Sequence, residues 1–252
     1  MKQFLDIKRL PLVLLSLGLL GHFVWMGLYS LAMDEKGLLA RNHPLEWVLW
    51  LLTALAVGLA LFAARKQDGT GNYGREETPS GLRALWTVLL ALAVGLDTWL
   101  AGPGMDLLAQ VGFGWGMLTA VILLWIAALQ LRGRKPHFLL YCVACVYFAL
   151  YMVNHYRAWS GNSQLLDYVF ALMAVVCVSL YVYQQAACCL DTAKLPTLWF
   201  SGLLAVFFGF MSGKMLFLSA ACWCFSDLCH LNPVAAPEKP KAAEEAPGEE
   251  SL

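Results

Sequence analysis

The chain has 252 residues, of which 17 are basic and 17 acidic, so its formal net charge is zero. Residues of the AVILMFWYC group make up 60 % and charged residues only 13 %, about half the share found in soluble domains. That is too little charge to cover a water-facing surface, and the balanced charge leaves no basic footprint for nucleic acid.

A spanning helix needs ~20 mostly apolar residues. Eight runs qualify, at 10–33, 45–64, 83–101, 111–131, 138–153, 165–190, 197–211 and 214–231. The last two are the weakest, because the first of them is short and the link Ser212–Lys214 is tight. Apolar residues run continuously within each segment and do not alternate, which excludes barrel strands. Backbone amides in lipid must bond within their own segment, so the runs are helices. The expected architecture is an all-α, polytopic membrane bundle spanning residues 1–232, with the lipid bilayer as its medium. The first run carries Lys8 and Arg9 ahead of it and Ser30-Leu31-Ala32 near its end, in the manner of a signal peptide. Its ~24-residue length exceeds a signal core, and His22 interrupts it, so a retained helix is expected.

Between the second and third runs lies RKQDGTGNYGREETPSGL, Arg65–Leu82, which reads by composition as a flexible solvated loop. The second run contains ALAVGLA and the third ALAVGLD. The match reads as coincidence of common apolar letters, since a repeat of one helix is no transporter plan. Its small residues Ala54, Gly58, Ala91 and Gly95 suit close helix packing, which predicts that these two helices form a tight hairpin pair. VGFGWGM at Val111–Met117 has no strand before it and opens a helix. It therefore reads as helix packing or a flexible helix start, not a phosphate loop.

Orientation follows from basic residues. With the N-terminus in the cytoplasm, 13 of the 17 basic residues fall on inner segments and 4 on outer ones. Both termini are thus expected in the cytoplasm of a cell-membrane protein. Trp25, Tyr29, Trp47, Trp50, Trp86, Trp99 and Trp159 lie near run ends, as interfacial anchors do. Residues 233–252 hold five glutamates, two lysines and almost no large apolar residue, the composition of a disordered acidic tail.

Ionisable residues inside a span are costly and usually have a partner or a task. Asp97 interrupts the third run ~21 Å beyond Arg83, and His22 lies ~20 Å beyond Arg9, so the two share a depth and are candidates for a pair. Asn154, His155 and Arg157 close the fifth run on the same side, and Asp167 opens the sixth there. His22, Asp97, Asn154, His155, Arg157 and Asp167 are the candidates for an outward polar pocket taking a small polar solute or ion. For Arg157 and Asp167 ordinary interfacial placement is the expected reading.

Seven of the eight cysteines fall on the inner, reducing side, where structural disulfides do not persist. Cys142 and Cys145 form a C-x-x-C, and Cys222, Cys229 and His230 lie close to Asp227. A metal site would need four converging ligands. Cysteine is also a small apolar filler, and packing is the expected role. No metal, cofactor or catalytic residue is expected, because Walker, HExxH and GxSxG motifs are absent.

The stretch from Trp159, WSGNSQLLDYVFALMAVVCVSLYVYQQAA, with the hairpin ending CFSDLC, resembles small uncharacterised polytopic membrane proteins of Gram-positive anaerobic bacteria. The resemblance covers roughly Trp159–Cys229 and implies a topology in a bacterial inner membrane, but no activity. The leading expectation is non-enzymatic, transporter-like binding or passage of a small solute. The alternatives are a structural or sensory subunit acting through a membrane partner or homo-oligomer, and a membrane redox or metal protein.

Overall fold

The computed structural model describes residues 9–32, 43–67, 71–159 and 165–235. It is an all-α bundle of eight helices: α1 Leu10–Ala32, α2 Pro44–Arg65, α3 Gly81–Ala101, α4 Leu107–Leu131, α5 Phe138–Trp159, α6 Leu165–Cys189, α7 Leu195–Ser212 and α8 Met215–Cys229. Seven are long and apolar enough to cross a membrane. The eighth has 15 residues, a length of ~22 Å, and follows the tight turn expected at Ser212–Lys214. Most of the large apolar side chains left exposed lie along these helices, as lipid contact requires.

Most boundaries have a local cause. Ser80 accepts a hydrogen bond from the Arg83 amide and caps α3, and the His43 ring does the same for α2. Pro44 and Pro196 occupy first-turn positions, where the missing N–H costs nothing. Gly213 takes the left-handed conformation that ends α7.

The centre of the bundle is α7. Of its spanning window 72 % is buried, against 22 % for α1, and it packs on α1, α2, α6 and α8. The sequence permits this because α7 is apolar on every face and carries glycines where neighbours press in. A Cβ on Gly209 would lie 2.6 Å from the Phe217 carbonyl and from the Ala221 Cβ of α8. One on Gly202 would lie 2.7 Å from the Tyr181 ring of α6. Without a hydrophobic drive between helices in lipid, this close approach is what holds them.

The hairpin expected between α2 and α3 does not form. Helix α2 packs on α1 and α7, while α3 packs on α4 and α8. Gly95 faces Ala120 of α4, and Gly58 faces open space. The 15-residue link between α2 and α3 is long enough to carry the chain across the end of the bundle, so sequence adjacency does not enforce contact.

That link is not simply solvated either. It contains a strand, β1 Tyr73–Arg75, paired antiparallel with β2 Pro233–Ala235 just after α8. On its other edge the Tyr73 amide donates to the Ala193 carbonyl and the Ala193 amide to the Tyr73 carbonyl, at 3.0 and 3.2 Å. Average polarity over the loop does not reveal this, because one buried partner, Asp227, fixes Arg75. Residues 233–235, placed with the acidic tail on composition, belong to this sheet, and residues 236–252 lie outside the described residues.

If α7 is the spine, enlarging Gly209 should be felt at once. Gly209→Leu is expected to lower the melting temperature in detergent, at a cost of about 1–3 kcal/mol from overpacking. Gly58→Leu, facing open space, is expected to leave it unchanged.

Candidate functional site

The helices gather polar groups at both ends of the bundle. At one end, α3, α4 and the C-terminal half of α5 enclose a cavity of about 450 Å³. Tyr147, Tyr151, Asn154 and His155 line it from α5; their spacing places them along one helix face. The Tyr151 and His155 rings stack at 3.7 Å with 19° between planes, and His155 Nδ1 lies 3.0 Å from the Tyr151 carbonyl. From α3 come Asp97 and Thr98, and from the α3–α4 turn Gly102, Gly104 and Asp106.

The glycines of VGFGWGM explain how the α5 groups reach inward. A Cβ on Gly112 would meet the Asn154 amide nitrogen at 2.6 Å, and one on Gly116 would meet Thr98 Oγ1 at 2.3 Å and the Tyr147 ring at 3.0 Å. Gly112 and Gly116 are one helical turn apart, so together they form a trough on α4 that receives the polar side chains of both neighbours. Gly114, on another face, meets nothing.

The structure thus brings together four of the sequence candidates, Asp97, Asn154, His155 and Arg157. The electrostatic partners of Asp97 are His155 and Lys214, the residue preceding α8. Arg157 forms an exposed ion pair at 3.7 Å with Asp106, also on the cavity lining. His22 stands apart from the cavity lining. Its Nδ1 lies 3.3 Å from the Met211 carbonyl, and its ring fills the space beside Gly213 that a Cβ would occupy. Among the described residues no ion pair or hydrogen bond joins His22 to Asp97. Equal depth fixes one coordinate only, and α1 packs on α2, α7 and α8 rather than on α3. Asp167 lies in the first turn of α6, and its side chain is outside the described residues. Thr98, Asp106, Tyr147 and Tyr151 were not read as site residues. The i, i+4 spacing of the tyrosines, ahead of Asn154 and His155 on the same face, was the available signal.

At the opposite end lies a buried ion cluster. The Asp227 carboxylate of α8 accepts from Arg75 Nη1 at 2.7 Å and from Arg83 Nε at 3.0 Å on one oxygen. The other oxygen accepts from the Tyr181 hydroxyl at 2.6 Å and from the Gln185 amide. Arg83 Nη1 also donates to Glu77 at 2.8 Å. Two cations and two anions therefore cancel in a space where each side chain is at most 7 % exposed. Burial, the largest single influence, would pull the Arg75 guanidinium down, but the charge and hydrogen bond of Asp227 together with the fields of Tyr181 and Glu77 hold Arg75 above its usual range. Among the described residues two donors, Arg75 Nε and Arg83 Nη2, have no hydrogen-bond partner, although Arg75 Nε lies 3.9 Å from the Glu77 carboxylate.

The cysteines take no part in either group. All eight are free thiols, and Cys145 Sγ donates at 3.8 Å to the Ser179 carbonyl. Cys142 and Cys145 are on α5, Cys222 and Cys229 on α8, and His230 bonds its ring nitrogen to the Ser226 carbonyl. Among the described residues no three His, Cys, Asp or Glu side chains are grouped as a metal ion would require. Asp227, near which the cysteines cluster in sequence, is fully engaged by arginines. No protein-family model, curated protein or solved structure matches the chain.

The two groups should respond differently to mutation. Asp227→Ala leaves two guanidinium groups buried without their shared anion and is expected to cost about 3–5 kcal/mol. Arg157→Ala removes an exposed pair worth under about 1 kcal/mol. Chemical denaturation in mild detergent separates the two outcomes.

Proposed function

We propose that this polytopic membrane protein binds a small polar solute or ion in the cavity around Asp97, without chemical transformation. The observation that carries the reading is convergence. Asp97, Asn154 and His155 interrupt apolar spans on different helices, and all line one cavity with Tyr147 and Tyr151. Placing a carboxylate within an apolar span costs about 2.5–3.5 kcal/mol on insertion scales, and the apolar alternative is a single substitution away, as the alanine at the matching position of ALAVGLA illustrates. The cavity falls within the size range of small-molecule sites, apolar walls with a few directed polar groups. These groups offer charge and hydrogen bonds of both senses, which suits a solute carrying a cationic or strongly donating centre toward Asp97.

The basic-residue count supports a sidedness. The segments bearing 13 of the 17 basic residues include those that form the ion cluster, so the cluster end is assigned to the cytoplasm and the cavity to the outer face.

Thiol chemistry tests the reading, because no cysteine lines the cavity. In the Ala109→Cys variant, membrane-impermeant methanethiosulfonates applied from the outer face should react, and the cationic reagent should react faster than the anionic one. Adding Asp97→Asn should shrink that preference about fivefold, roughly the Coulomb energy of one charge a few ångströms away in water. A thiol unreactive toward both reagents would mean that no aqueous cavity reaches Ala109.

A further inference from the structure

We propose that the solute is passed through the protein, and that the ion cluster and its short sheet form the gate at the far end. The inference rests on the cavity reading above and extends it from binding to passage.

Three features of the cluster set it apart from an ordinary packed end. First, it joins two groups of helices. Helices α3 and α4 pack on each other and meet the rest of the bundle mainly through α5 and α8. The cluster lies across that seam, with Arg83 on α3 and Asp227 on α8. The cavity lies along the same seam, since α3 carries Asp97 and Thr98 at its other end. Between them on α3 are the buried apolar residues Leu90, Ala91 and Val94. From Thr87 to Thr98 the dry stretch is ~16 Å. A tilt of α3 and α4 against α8 therefore changes both ends together.

Second, the seal is ionic. Separating apolar surfaces exposes them to water at full cost, whereas a buried ion pair roughly breaks even, because hydration of the parted charges replaces their attraction. Among the described residues Arg75 Nε and Arg83 Nη2 have no hydrogen-bond partner, and entering water would satisfy both. An ionic seal can thus open at a cost that a leucine seal cannot match.

Third, part of the seal rides on chain that can move without unfolding a helix. Arg75 belongs to a three-residue strand held on one edge by the two Tyr73–Ala193 bonds. Both main-chain groups of Tyr73 point toward Ala193, so its pairing with Ala235 on the other edge is the non-hydrogen-bonded kind, with Cα atoms ~4.5 Å apart. That separation lies within the range a disulfide can bridge. Cys188, 3 % exposed at the end of α6, lies within the field of Arg75 and Asp227 and reports on opening.

The experiment uses the full chain in sealed membrane vesicles. One background carries Tyr73→Cys, Ala235→Cys and Ala109→Cys. A maleimide then labels either Cys188 from the cluster side or the Ala109→Cys thiol from the cavity side, with mass spectrometry as the readout. Oxidising the strand pair should slow Cys188 labelling about tenfold and speed labelling at the cavity. Reduction before labelling should reverse both. Arg75→Gln, with the strand pair reduced, should do the opposite, exposing Cys188 while the cavity thiol becomes slower. A purely structural clasp would change Cys188 alone or loosen both sites together, and either result overturns the gate. Labelling at the cavity that ignores the crosslink overturns the gate while leaving the cavity reading intact. No labelling at the cavity under any condition overturns both.

Discussion

One carboxylate holds the end of this bundle together. Asp227 receives both guanidinium groups at 2.7 and 3.0 Å, Glu77 backs the same two arginines at 3.9 and 2.8 Å, and the groups that meet at Asp227 come from separate chain segments. Arg75 arrives on a strand from the link after α2, Arg83 from the first turn of α3, and Tyr181 and Gln185 from α6. Without Asp227 the two arginines would be left with Glu77 alone, and the uncompensated positive charge would be buried in a low dielectric, where it is costly. The strand, the entry of α3 and the end of α8 are therefore fixed relative to one another by a single residue on the shortest helix.

Satellite contacts extend from that point. The Ser80 amide reaches the Gln130 carbonyl at 3.4 Å, tying the start of α3 to the end of α4. The Thr87 hydroxyl adds a 2.8 Å bond to the Gln130 side chain. Lys135, in the link after α4, pairs at 2.7 Å with Asp191 after α6. The Asp191 carboxylate occupies the space where a Cβ on residue 74 would stand, 1.8 Å away, so Gly74 is required for the strand to seat. Three interhelical links and the segment after α8 thus meet at one end, held by polar contacts, while the opposite end is left with a cavity. The asymmetry follows from the sequence, which sets Asp227 two residues from the end of α8 and Asp97 four residues from the end of α3.

The architecture was legible because membrane spans obey a strong constraint. Every backbone amide in lipid must bond within its helix, so run length and hydropathy place all eight helices to within a few residues, apart from a longer α5. Asp97 was legible for the same reason, since a polar residue within an apolar run is visible without a structure, and Asn154 and His155 were legible as the polar residues that close the fifth run on the same side. The ion cluster was not. Arg75 and Asp227 are 152 residues apart, and each has an ordinary local explanation: Arg75 as a basic residue in a polar loop, Asp227 as a polar residue near a helix end. Pairing across such a separation leaves no periodic trace. Helix neighbours were equally hidden, because small residues announce that a close contact exists without naming the partner. Gly95 found α4 rather than α2, and His22 found the α7–α8 turn rather than Asp97.

The distribution of glycine and charge divides the bundle into a fixed part and a part able to shift. Close backbone contacts concentrate on α7, where Gly18 of α1, Gly202 and Gly209 admit neighbours that a methyl group would exclude. Such contacts are dense and directional, and sliding them by a fraction of a helical turn would bring Cβ atoms into collision. Along α3 the contacts differ. Its face toward α4 and α8 carries Ala84, Ala91, Ala93 and Val94, smooth side chains, with hydrogen-bonding and ionic groups only near the two ends. A smooth apolar middle resists tilting little, while the polar ends decide which tilt is favoured. The fixed spine and the smooth seam are thus two uses of small residues, and the difference lies in whether the backbone itself is gripped. In this chain the helices gripped by α7 carry the fold, while at the cavity and the cluster Gly112, Gly116 and Gly74 receive polar side chains at the two ends of the smooth seam.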